Sequence, residues 1–185
     1  MPVDIYQSLW QEFAVESGDH LDRLEPLLVA IEAGPPDGEP GGAGAVGAEQ
    51  VATLFRGMHS IKGMAAALTL KGMERVSHHA EHLLGQVRDG RCALDAPMAG
   101  LLLEAVDELK RLRDLSVRDH ADSPASEAVM ARLEAARGSL EGARKKGGRD
   151  DAVDFGAPGF GAAVAAAKAA AAGITIRITG PTLTF

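Results

Sequence analysis

Apolar residues recur at three- and four-residue spacings through most of the first 145 positions, the signature of amphipathic helices. Ile5, Leu9, Phe13, Leu21, Leu24, Leu28 and Ile31 mark one face of a first helix over 4–33, with one skipped turn near Ser17 and Gly18. Pro26 falls inside it. A proline removes one helical hydrogen bond and clashes with the carbonyl four residues back, so a kink is expected between Asp22 and Pro26. The Gly/Pro-rich stretch 34–48 offers neither helix continuity nor a core face and reads as a long, mobile loop. Val51, Leu54, Met58, Ile61, Ala65 and Leu68 predict a second helix over 49–70, broken at Lys71-Gly72. Met73, Val76, Ala80, Leu83 and Val87 predict a third over 73–89, with Gly90 as its C-terminal cap. Asp95 caps a fourth, with Pro97 in its first turn and Met98, Leu101, Leu102, Ala105, Leu109 and Leu112 as its stripe. Ser123-Pro124 opens a fifth, with Val129, Leu133, Ala136 and Leu140 on one face.

The later connections are short, so neighbouring helices should run antiparallel. The expected fold is all-α: an up-down antiparallel bundle over residues 1–145, with a four-helix core and a fifth helix. Residues 146–173 have the Gly/Ala-rich composition of a linker. Ile174-Thr175-Ile176-Arg177-Ile178-Thr179 alternates as a strand does. One strand is not stable alone, so 174–185 reads as the start of a truncated second domain or as a tail.

Composition narrows the function classes. With 46% hydrophobic and 24% charged residues among 185, the chain belongs with globular rather than disordered proteins. Aromatics are only 4%, so an Ala/Leu core is expected. The net charge of −7 argues against a nucleic-acid binder held by phosphate contacts. The N-terminus lacks the basic start and apolar core of a signal peptide, and no apolar run is long enough to enter a membrane as a spanning helix. The lone Cys92 rules out an intrachain disulfide and fits a cytoplasmic setting.

Candidate chemistry concentrates in Met58-His59-Ser60-Ile61-Lys62-Gly63-Met64. Residues three and four apart share a helix face, so His59, Lys62 and Gly63 lie together. His59 is about 100° around from Met58, off the apolar stripe, and should be partly open to water. Lys62 puts a positive charge where it can stabilise an added phosphoryl group. A mid-helix glycine costs roughly 1 kcal/mol relative to alanine. Gly63 therefore needs a reason, either access to His59 or close helix packing. The second cluster is Ser77-His78-His79-Ala80-Glu81-His82. In an antiparallel hairpin it returns beside His59, where Glu81 can accept a ring N–H and leave the other nitrogen's lone pair outward. A neutral imidazole so oriented is a nucleophile. The bland readings are a solvated histidine, a packing glycine and two surface charges. His78, His79 and His82 also invite a metal reading, though without an HExxH pattern or a nearby cysteine to support it.

Phe55–Leu84, FRGMHSIKGMAAALTLKGMERVSHHAEHLL, resembles the histidine-containing phosphotransfer (Hpt) domain at the N-terminus of CheA-type chemotaxis kinases. The resemblance extends over about residues 5–142, and H-S-I-K-G followed by H-x-x-E is its specific part. It implies that His59 is the phosphoacceptor, that Lys62 and Gly63 belong to the same motif, that Glu81 hydrogen-bonds the phosphorylatable ring, and that His78 is a supporting histidine. It further implies that a CheA-type ATP-binding kinase domain supplies the phosphoryl group and that CheY- or CheB-type response regulators receive it on an aspartate. ATP and Mg would be bound by those missing domains, with no cofactor in this chain, which would be the N-terminal fragment of a histidine kinase or a stand-alone phosphotransfer protein. The chain departs from the family in Leu68-Thr69-Leu70, where a small–aromatic turn is usual, in Pro26, and in the long Gly/Pro loop. The alternatives are a non-catalytic interaction bundle with a silent His59 and the metal-binding reading.

Overall fold

The computed structural model describes residues 5–34 and 46–144. They form α1 (Ile5–Ala33), α2 (Ala48–Ala67), α3 (Lys71–Arg88), α4 (Ala96–Asp119) and α5 (Glu127–Arg144), with no strand among them. The helices α1 to α4 close a ring in chain order: α1 packs on α2, α2 on α3, α3 on α4 and α4 on α1. The fifth helix lies against α3 and α4. The cross-helix pairs give the directions. Trp10 stacks on His120, Lys110 reaches Glu25, and Gly100 meets Glu32, so α1 and α4 run antiparallel. The core is aliphatic, with Leu21, Leu24, Leu28, Leu54, Ile61, Leu83, Leu84, Leu102 and Leu109 at 0–1% exposure. The lone tryptophan, Trp10, and Phe13 join them.

As expected, α1 continues past Pro26, from Ile5 to Ala33. Pro26 is exposed, so water can serve the carbonyl it leaves without a donor. The skipped turn of the apolar stripe is filled by small residues. Ser17 is buried and returns its hydroxyl to the Phe13 carbonyl. Gly18 admits Arg113 of α4, whose Nη1 would lie 2.9 Å from a Cβ there. Ile5, assigned to the buried stripe from its spacing, is 63% exposed, and Trp10 takes the inward position instead.

The break between α2 and α3 falls at Leu68–Leu70, ahead of Lys71-Gly72. Thr69 adopts φ +63°, and the amides of Thr69 and Leu70 donate to the Ala66 and Ala65 carbonyls. This is a Schellman cap with threonine where glycine is usual. Gly72 is helical and sits there for packing: a Cβ would fall 2.0 Å from the Ser123 carbonyl oxygen of the α4–α5 loop. Its amide donates to Asp122 Oδ1 at 3.0 Å, so that loop also caps α3. At the far end of α3, Gly90 takes φ +68° beyond the Asp89 cap, as expected. Asp95 likewise caps α4 through the Met98 amide, at 3.0 Å.

The fifth helix starts at Glu127, later than Ser123-Pro124. Buried Glu108 of α4 accepts the Ser126 amide at 2.6 Å, and Arg111 donates to the Pro124 carbonyl at 3.1 Å. These bonds hold Pro124–Ser126 out of the helix. The strand expected at 174–179, the linker over 146–173 and nearly all of the 34–48 loop lie outside the described residues. Among the described residues no helix is long and apolar enough to cross a membrane.

Candidate functional site

The site forms where α2 and α3 run side by side. The tight Leu68–Leu70 turn sends α3 back along α2, and Met58, Ile61, Met64 and Ala65 pack against Met73, Val76, Ala80 and Leu84 in the shared core. The buried positions fix the rotation of both helices. His59, one residue past Met58, is thereby turned to the rim of the seam, and Glu81, one past Ala80, meets it from α3.

Glu81 Oε1 lies 3.0 Å from His59 Nδ1, and Lys62 Nζ lies 2.6 Å from Glu81 Oε2. One carboxylate therefore serves both the imidazole and the ammonium. Glu81 is 13% exposed in its side chain, against 40% for His59 and 29% for Lys62. The carboxylate is the more buried partner and the ring the more exposed one. Burial pushes the Glu81 carboxyl up. The hydrogen bonds from His59 and Lys62, with the charge of Lys62, outweigh it and hold the group below its ordinary value. An ionised carboxylate is an acceptor only, so the His59 nitrogen facing it carries the proton. In the neutral ring the other nitrogen, Nε2, then keeps its lone pair.

Gly63 lies one turn beyond His59 on α2 and is exposed. A Cβ at Gly63 would meet no atom within 4 Å. The packing reading of this glycine is therefore set aside. Close packing belongs instead to Gly57, where Leu24 Cδ2 would come within 2.7 Å of a Cβ, and to Gly72. What Gly63 leaves is open space next to the imidazole.

His78 lies on α3 three residues before Glu81. It is exposed, and its ring centroid lies 5.8 Å from that of His79. His79 faces α5, 3.8 Å from Glu134, and burial lowers its pKa. Among the described residues no three His, Cys, Asp or Glu side chains gather into a candidate metal site. Cys92 is partly buried, and burial with the charge of Asp95 pushes its thiol up, away from thiolate chemistry.

Two residues at the site were not singled out from sequence. Phe55, one turn before His59, lies with its ring centroid 6.3 Å from that of His59 and the planes 16° apart. Arg88 of α3 covers Phe55, its guanidinium carbon 4.5 Å from the ring centroid. Phe55 at the fourth position before His59 was the available signal, since such residues share a helix face.

A four-helix ring that presents a half-exposed imidazole on a half-buried carboxylate defines a class: a helical bundle that holds a histidine at the rim of a two-helix seam. The comparisons place it further. The Hpt domain family matches residues 8–112, and the chain belongs to that family. The chemotaxis protein CheA of Cereibacter sphaeroides is 34% identical over 148 residues, covering 78% of this chain and 19% of that protein. CheA of Salmonella typhimurium is 30% identical over 114 residues, covering 62% and 15%. The sensor histidine kinase CheAY of Helicobacter pylori is 25% identical over 117 residues, covering 63% and 13%. The chain thus spans less than a fifth of the length of these relatives. Among solved structures, the phosphorylated P1 domain of CheA3 in complex with CheY6 from R. sphaeroides superposes with a TM-score of 0.61 at 29% identity, covering 73% of this chain and 97% of that one.

Proposed function

We propose that this chain is the phosphotransfer module of a CheA-type chemotaxis system, with His59 as the phosphoacceptor. The observation that carries the reading is the 3.0 Å approach of Glu81 to Nδ1 of a ring left 40% exposed. The relatives named CheA and the match to a phosphorylated P1 domain support it. A cytoplasmic setting follows from the same reading.

The chemistry divides into two transfers. Nε2 of neutral His59 attacks the γ-phosphorus of ATP held by a separate kinase domain. The N–P bond forms as the bond to the bridging oxygen breaks, and ADP leaves with that electron pair. The imidazole becomes cationic, its Nδ1 proton held by Glu81. A response-regulator aspartate of the CheY or CheB type then attacks phosphorus, and the N–P bond returns its electrons to Nε2. Little covalent work falls to the bundle, which positions the ring and stabilises charge. Lys62 is drawn from Glu81 toward the phosphoryl oxygens, a charge-assisted contact.

The test is to incubate the chain with a CheA-type kinase core and radiolabelled ATP. Acid-labile, base-stable label that His59→Gln abolishes is the expected result. Label surviving on that variant would sink the assignment and favour the silent interaction bundle.

A further inference from the structure

We infer that Phe55 is a positioning residue for His59 and that Arg88 locks it in place; the inference rests on the reading of His59 as phosphoacceptor. The Glu81 hydrogen bond holds one atom of the imidazole, Nδ1, at 3.0 Å. A single bond leaves the ring free to rock about that contact, and rocking sweeps Nε2 through an arc. A second constraint is needed to define the plane, and Phe55 supplies it. The two rings are nearly parallel, 16° apart, with centroids separated by 6.3 Å. That separation falls within the range of offset aromatic pairs.

Phe55 is itself braced. Its ring rests over Gly85 of α3, where a Cβ would make an ordinary contact with Phe55 Cε2 at 3.6 Å. Arg88 covers the ring at 4.5 Å, a cation–π distance. Its guanidinium is anchored in turn by Asp89 Oδ1, which accepts from Nε at 3.1 Å and Nη2 at 3.0 Å. The line Asp89, Arg88, Phe55, His59 therefore runs from the C-terminus of α3 to the imidazole. Glu81 draws the ring proton to Nδ1, and Phe55 keeps the ring seated on that hydrogen bond, so losing Phe55 loosens both the aim of Nε2 and the Nδ1–H preference. Neither Phe55 nor Arg88 exchanges a proton or an electron pair in the transfer.

A residue that only packs would change stability without changing the ring. The experiment uses the full chain with nitrogen-15-labelled histidine, and reads the His59 tautomer by two-bond NMR correlations before any phosphorylation. The same samples are then labelled with a CheA-type kinase core, taking KM and kcat separately. With Phe55→Leu, the Nδ1–H tautomer should lose population toward the mixture of free imidazole. Its kcat for labelling should fall about tenfold with KM for the kinase domain unchanged, the scale that a small misplacement of a reacting atom imposes. Phe55→Tyr, which keeps the ring, should restore both within about twofold, and adding Arg88→Gln to Phe55→Leu should give no further loss, since Arg88 acts through Phe55. A wild-type tautomer population in Phe55→Leu, or an unchanged kcat, would overturn the inference. Absence of label on unsubstituted His59 overturns the proposed function instead, and the tautomer measurement then decides the inference alone.

Discussion

Glu81 reaches across the α2–α3 seam to His59, 22 residues earlier in the chain, and places Oε1 3.0 Å from Nδ1. The pair inverts the usual arrangement of a surface histidine and a solvated acid. Here the acid is the more buried member and the ring the more exposed one. Such a carboxylate is a fixed post, and the imidazole is what it aims.

Removing the post should slow the chemistry and spare the fold. Glu81→Ala deletes no apolar core contact, because Glu81 lies on the rim of the seam. The labelling rate by a kinase core should fall about tenfold or more, the usual scale for an oriented proton partner. Far-UV circular dichroism and the cooperativity of melting should be unchanged. An unaltered rate would reduce Glu81 to a surface charge.

Two helical glycines should respond oppositely to alanine. Gly72→Ala drives a Cβ to within 2.0 Å of a backbone carbonyl that also belongs to the loop capping α3. That overpacking should cost about 2–3 kcal/mol. Gly63→Ala meets nothing and should stabilise the chain by up to about 1 kcal/mol through helix propensity. If the space beside His59 serves an incoming partner, the same variant should be labelled more slowly. Urea unfolding followed at Trp10, 4% exposed in the core, reads both stabilities, and a Gly63→Ala variant that is labelled at the wild-type rate would leave that open space without a role.

Acid should loosen the α4–α5 corner. Hydrogen bonds from Arg111 hold the Glu108 carboxyl below its ordinary value against the opposing effect of burial, and the Ser126 amide adds to them. A carboxyl depressed in the folded state stabilises fully above its unfolded pKa, about 4.3, and loses that contribution as pH falls through the lower folded value. Stability should therefore decline as pH drops below about 4, and Glu108→Gln should flatten that acid limb. At neutral pH the same substitution should cost roughly 1–2 kcal/mol, discounted because Arg111 is half exposed. An acid limb identical in Glu108→Gln and wild type would show that other carboxylates dominate it.

The division between what the sequence showed and what it hid follows from the range of each interaction. The five helices and the caps at Asp95 and Gly90 were legible because periodicity and capping are local. The meeting of His59 with Glu81 was legible because one tight turn and two apolar stripes fix the facing of α2 and α3. Gly72 was misread as a break because its reason, the Ser123 carbonyl, comes from a loop far along the chain. The start of α5 was misplaced for the same cause, since Glu108 reaches it from α4. Phe55 and Arg88 went unnoticed because an aromatic at a helix rim reads as ordinary core until its neighbour across the seam is known.

The central claim is that Glu81 occupies Nδ1 of His59 and leaves Nε2 to carry the phosphoryl group. The most direct measurement is NMR of the phosphorylated chain, using phosphorus-31 and nitrogen-15-labelled histidine to assign the modified atom. The account predicts a single phosphohistidine, at Nε2 of His59, with the Nδ1 proton still held by Glu81. A phosphoryl group on Nδ1, or on His78, His79 or His82, would contradict it.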